Sequence, residues 1–271
     1  VGATLVGQVP AIGLYQLAVT ESTYEELVTL TETLNSQPGV EGALPNFVSQ
    51  SQTTPDYCQP TGDIGAYDTE DARCFLYEPQ YNLVGPLMGK IQEHQALFPV
   101  KVAVIDVGVA ESTGQFDDLG GTLNVDAPSS PCTQYGHGTR VAGIIVADPH
   151  DGGAGGLAST ILGNKVSLIC GGTTDMFDEN NNKLQVLQSL GNDMVTIARA
   201  ANAGAQVVNI SIGLNFSGLE IVLGYGYLAN LAFARSFKKF DQALYVIAAG
   251  NESLELTTTN YAPLDYDGSV Q

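Results

Sequence analysis

Of the three histidines in this 271-residue chain, one has neighbours that suggest chemistry. The stretch "QYGHGTRVAGIIVAD", Gln134 to Asp148, sets His137 between glycines, ahead of a threonine and a run of small and apolar residues. An imidazole titrates near neutral pH and is the commonest general base, but it needs a partner to hold its tautomer and a nucleophile to serve. Asp106 ends the apolar run "VKVAVID", and a carboxylate there could bond one ring nitrogen and leave the other to take a proton. Asn251 ends "ALYVIAAGN", and its side-chain amide is a neutral donor suited to a developing oxyanion. Each also has an ordinary reading: a helix-end histidine, a strand-end cap and a turn asparagine. His94 and His150 have no comparable context.

These residues matter only if the fold brings them together. Four apolar runs, 100–106, 164–170, 205–213 and 243–251, read as buried strands. The stretches "VLQSLGNDMVTIARAANAG" and "GYLANLAFARSFKKFDQ" read as helices between the last three. Apolar strands alternating with helices predict an α/β fold, a mostly parallel sheet with helices on both faces. In such sheets ligands gather at the carboxyl ends of the strands, which is where Asp106, Asn251 and the small-residue run Ser211, Ile212 and Gly213 fall.

Residues 1–48 read as a separate small α+β unit. Two strand-like runs around Pro10-Ala11 suggest a hairpin. Ser22 and Glu25 form a capping-box pattern before a helix with Leu27, Leu30 and Leu34 on one face, and "VEGALPNFV" reads as a returning strand. A β-β-α-β unit of that length is too small to be very stable alone and should lean on a larger surface. Residues 49–79 shift to Ser, Gln, Thr, Pro and Asp and read as a linker or extended loop, leaving 80–271 as the main domain.

The chain has 29 acidic against 10 basic residues, a formal charge of -19, which would repel a phosphate backbone and excludes nucleic acid as a partner class. No apolar run is long enough to span a bilayer, and the N-terminus lacks the basic start of a signal peptide. An export signal is therefore expected to be gone already. Cys58, Cys74, Cys132 and Cys170 contain no CxxC pair, which favours two disulfides in an oxidising compartment over a zinc or redox site. Sequence order suggests Cys58 with Cys74 and Cys132 with Cys170, among three connectivities, with buried free thiols as the alternative. "DGGAGGLA", 151–158, follows a helix rather than a strand, so it is a connecting loop and not a phosphate cradle. The polar, acidic "TTDMFDENNN", 173–182, reads as a solvated loop.

Taken together, "VAVIDVG", "GHGTRVAGII", "VVNISIG" and "VIAAGNE" resemble, in order and spacing, the aspartate, histidine, substrate-strand and oxyanion segments of the subtilisin-like serine peptidases. The resemblance spans roughly residues 100–255. It implies Asp106 as the acid that orients the histidine, His137 as the general base and Asn251 as the oxyanion donor. It also implies that Ser211, Ile212 and Gly213 pair with an extended peptide substrate. "GLYQLAV", the capped helix and "PGVEGALPNFV" resemble the second half of the family's inhibitor-type propeptide, whose tail reaches the cleft, so the layout is that of a secreted zymogen. No cofactor is required. Members often hold a structural calcium ion in the region where Asp148 and Asp151 lie.

Two features depart from the family. Val107 follows Asp106 where Ser or Thr is usual. More gravely, the family's nucleophilic serine lies several tens of residues beyond the oxyanion asparagine, and only twenty residues follow Asn251 here. Ser211, Ser253 and Ser269 do not fit that role. The expectation is an endopeptidase precursor whose serine lies outside these residues, on later sequence or on a second chain, so that the chain alone does not hydrolyse peptides. The alternative is a non-catalytic relative that keeps the cleft as a binding surface.

Overall fold

The computed structural model describes residues 3–21, 23–47, 50–51, 99–106, 108–109, 116–117, 119–126, 137–148, 156–172, 174–177, 183–187, 189–250, 257 and 261–262. The chain opens with strands β1 (Thr4–Val9) and β2 (Leu14–Ala18), paired antiparallel across a short 3-10 turn at Pro10–Ile12, where Gly13 takes a left-handed conformation with φ of 70°. Helix α1 (Tyr24–Asn35) follows. Its capping box falls one residue later than Ser22 and Glu25: Thr23 Oγ1 accepts from the Glu26 amide at 3.2 Å, and Glu26 Oε2 accepts from the Thr23 amide at 3.1 Å. Thr23 is the extended residue at the helix entrance, so its hydroxyl reaches the third helical amide. The returning strand expected over 40–48 is not formed through residue 47. Residues 41–47 carry no ladder: the Ala43 amide donates to Asn35 Oδ1, Asn46 Oδ1 accepts from the Gly191 amide, and the Phe47 carbonyl accepts from the Leu190 amide.

A two-residue strand, β3 (Gln50–Ser51), precedes the central sheet. That sheet is built from β4 (Val100–Ile105), β5 (Thr122–Asn124), β6 (Val166–Gly171), β9 (Val207–Ile210) and β11 (Leu244–Ile247), in the order β11-β9-β4-β6-β5, and every pair is parallel. Helix α2 (His137–Val146) covers one face, packing Ala142 and Val146 with Val102, Val104 and Leu168. Helices α4 (Leu190–Asn202) and α6 (Tyr225–Lys239) cover the other, where Met194, Ile197, Ala229 and Phe233 pack with Ala103, Ile105, Val208 and Ile210. The alternation along β4, odd residues to one face and even to the other, is the two-residue period of a strand buried on both sides. The predicted α/β class is therefore the observed one.

Three local expectations change. The run 205–213 breaks at Ser211: β9 stays in the parallel sheet, while β10 (Ile212–Asn215) joins a separate three-stranded sheet between β12 (Tyr261–Ala262) and β3. Within 173–182, read as a loop, residues 174–177 form β7 (Thr174–Phe177), paired antiparallel with β8 (Lys183–Leu187). The loop 151–158 gives way at its end to a short helix, α3 (Leu157–Leu162), and a further single turn, α5 (Leu219–Val222), precedes α6. Cys170 is buried at the end of β6 and disulfide-bonded; Cys58, Cys74 and Cys132, and with them the pairing, lie outside the described residues.

Candidate active site

Because β4, β6 and β9 run parallel, their carboxyl ends share one edge of the sheet. Asp106 is the residue after β4, its amide bonded to the Gly171 carbonyl at 3.0 Å, and its side chain is fully buried. His137 is the first residue of α2, so the helix start fixes its backbone beside that edge. His137 Nδ1 lies 2.8 Å from Asp106 Oδ2, with the histidine side chain 17% exposed and the aspartate 0%. A buried carboxylate needs a partner, and an Nδ1–H donating to it sets the tautomer in which Nε2 is the proton acceptor of the ring. The two candidates farthest apart in element type are thus in direct contact.

Gly138 makes this approach feasible. A Cβ at that position would sit 2.8 Å from Asp106 Cβ and 3.2 Å from its Cγ, and against the Gly108 carbonyl oxygen. The glycine after the histidine is therefore a packing requirement of the pair, which the sequence presented only as a flanking small residue.

Ser211 lies at the point where the chain leaves β9 for β10, and Ile212 and Gly213 open β10. Asn209 Nδ2 donates to Ser211 Oγ at 2.8 Å, which steadies this turn between sheets. Ile212 pairs with Ser51 and Gly213 with Gln50, antiparallel, so the strand expected to bind a peptide has an extended segment of the same chain added to its edge. Asn251 lies outside the described residues, as does Val107. Gly250, with φ of 82°, leads into Asn251 after β11. Asp148 is buried and Asp151 lies outside the described residues; among those described, no group of three His, Cys, Asp or Glu side chains is placed to hold a metal ion.

A feature not anticipated from sequence is Asp126, just past β5. Its Oδ2 accepts from the Gly172 amide at 2.7 Å, and its Oδ1 accepts from Thr196 Oγ1 at 2.8 Å and from Arg199 at 3.0 Å. It ties the end of β5 to the β6 end and to α4, on the strand that leads toward the histidine segment. No periodicity or motif marks it.

The structural likeness is of low identity. Fervidolysin from Fervidobacterium pennivorans, a keratinolytic enzyme related to subtilisin, aligns at 21% identity over 93% of this chain and 37% of its own, with a TM-score of 0.50. The epidermin leader peptide processing serine protease EpiP from Staphylococcus aureus aligns at 19% over 92% of this chain and 55% of its own, with a TM-score of 0.46. The nisin leader peptidase NisP from Lactococcus lactis aligns at 23% over 68% and 50%, with a TM-score of 0.44. The chain thus spans about half the length, or less, of these solved structures. No curated protein sequence matches it significantly. The family model described as the subtilase family, Peptidase S8, matches residues 99–271, well over half of the chain. The chain belongs to the subtilase family.

Proposed function

We propose that the chain is part of a secreted subtilisin-like serine endopeptidase precursor. The observation that carries this reading is the 2.8 Å contact between His137 Nδ1 and the fully buried Asp106 carboxylate at the carboxyl edge of a parallel sheet. In this reading Asp106 orients His137 and steadies the imidazolium. His137 Nε2 takes the proton of a serine hydroxyl as its oxygen attacks the scissile carbonyl, then returns that proton to the leaving amine. Asn251 donates to the oxyanion, and Ser211 to Gly213 hold the substrate backbone as an added strand. The serine is supplied from outside these 271 residues, so the chain by itself is inactive.

The first 48 residues act as an inhibitor-type propeptide. Support comes from the pairing of Gln50 and Ser51 with Gly213 and Ile212, the strand a substrate would use. Cleavage between Ser49 and Pro79 would release it. Disulfides, one of them at Cys170, suit export to an oxidising compartment. No helix among the described residues is long and apolar enough to cross a membrane. In this reading no step is routed through a metal ion.

The test is labelling with a fluorophosphonate probe. The product of the full reading frame should be labelled on a serine beyond residue 271, and its His137→Ala variant should not. Labelling that survives the substitution, or turnover by the 271-residue chain alone, would reject the mechanism; a full product that binds peptides without labelling would favour the non-catalytic relative.

A further inference from the structure

The segment before β3 makes contacts that a substrate's upstream residues could make. The α4 helix begins after Ser189, whose backbone is that of an N-cap but whose hydroxyl caps nothing in its own helix. The first helical amides are met instead by residues 46 and 47. Asn46 Oδ1 accepts from the Gly191 amide at 2.8 Å, and the Phe47 carbonyl accepts from the Leu190 amide at 3.0 Å. Asn46 Nδ2 donates to Ser189 Oγ at 3.1 Å. Phe47 sets its ring edge-on to Phe216 at 5.3 Å and tilted against Tyr225 at 5.7 Å; both of those rings are buried. A helix start and an aromatic pocket, both belonging to the main domain, together read one asparagine-phenylalanine dipeptide.

The register links this dipeptide to the cleft. Gln50 stands opposite Gly213, and Phe47 lies three residues upstream of it on the same segment. A peptide that adds to β10 in this direction and follows the same course as this segment would bring its own residues, three and four positions before the one opposite Gly213, to the same helix start and pocket.

We propose that these features form an upstream specificity subsite: once residues 1–48 leave, the amino end of α4 and the Phe216–Tyr225 pocket select peptides with an aromatic side chain at the Phe47 position and a short amide side chain at the Asn46 position. The proposal rests on the reading of Ile212 and Gly213 as the substrate strand, but it concerns binding and does not need the serine. The aromatic residue supplies apolar burial and edge-to-face contact, and the amide satisfies a helix donor that is otherwise left without a cap.

The experiment measures fluorescence anisotropy of labelled peptides spanning residues 44–52, with the 271-residue chain in which Asn46→Ala and Phe47→Ala loosen its own segment. The peptide with the native sequence should bind at least about tenfold more tightly than the same peptide with alanine for phenylalanine, and several-fold more tightly than that with alanine for asparagine. A Phe216→Ala change in the protein should erase the first difference. The chain with its own Asn46 and Phe47 intact should bind the native peptide more weakly, because its tethered segment competes. Should the double variant lose its near-ultraviolet circular dichroism, the single Asn46→Ala chain takes its place. Equal binding of all three peptides, or binding of none, overturns the subsite whether or not the full product labels with a fluorophosphonate. Selective binding by a product that never labels would uphold the subsite and reject the peptidase reading.

Discussion

At the scale of single residues the Asp106 and His137 contact is the feature on which chemistry depends. In the product of the full reading frame, Asp106→Asn should preserve the fold yet lower kcat by about ten-thousandfold, because an amide favours the wrong imidazole tautomer. Peptide turnover compared with the unchanged protein, with far-ultraviolet circular dichroism as the control, measures this. Gly138→Ala acts on the same pair by a different route. The added methyl group would meet Asp106 Cβ at 2.8 Å, and the Asp106 backbone is anchored by its amide's bond to the Gly171 carbonyl. It should destabilise the protein by about 1–3 kcal/mol, the usual range for overpacking, and reduce turnover as well. Denaturant unfolding and turnover of the variant read both effects; a neutral Gly138→Ala would show that the helix start can shift without loss.

At the scale of elements, the early hairpin and helix sit on the ends of two helices that cover the central sheet. β1 packs against α4, and the 3-10 turn packs against α6. Thr31 Oγ1 and Tyr225 OH share a buried hydrogen bond of 2.9 Å, and Arg235 pairs with Glu41 at the rim, holding the Glu41 carboxyl below its usual range. The rim pair is exposed and contributes little, whereas the buried one has no water to replace it. Tyr225→Phe should therefore cost about 1 kcal/mol in denaturant unfolding and speed proteolytic release of the first 48 residues. An unchanged release rate would mean that this contact does not govern the docking of the unit. The hairpin leaves Leu5, Val6, Tyr15 and Leu17 substantially exposed, and its own burial rests on Val9 and on Leu14, which packs against the core.

At the scale of the whole molecule, stability at high pH follows a buried phenol. Tyr245, in β11, donates to the Phe240 carbonyl at 2.8 Å, and burial, then the charge of Asp241, pushes its pKa up to about 12. The folded state therefore favours the neutral phenol more than the unfolded chain does, whose tyrosines titrate near about 10. This contribution is complete below pH about 10 and is lost as pH rises from there through about 12. Urea midpoints of the wild-type chain should fall across that window, and Tyr245→Phe, which has no proton to lose there, should fall less steeply. Parallel curves would show that the phenol is not the group responsible.

The sequence alone determined the parts that repeat locally. Alternating apolar residues in "VKVAVI" and helical spacing in 190–202 recur every few positions, so the parallel sheet, its two-sided helical cover and the edge where Asp106 and His137 would meet were legible. The Gly-Thr after His137 and the order of the four segments carried the family, which the match over residues 99–271 bears out. Other features depend on what lies across from a residue in space. Neither the switch of the 205–213 run between two sheets at Ser211 nor the Asp126 tie leaves a periodic trace, and over 40–47 no strand forms, the Asn46 side chain and the Phe47 carbonyl bonding to the start of α4 instead. The 2.8 Å approach of histidine to aspartate, and the way Asn46 and Phe47 finish a helix whose N-cap residue, Ser189, lies 143 residues after Asn46, were decided only by the tertiary structure. Hydrogen bonds and ring contacts between distant segments are set by packing, and no local spacing encodes them.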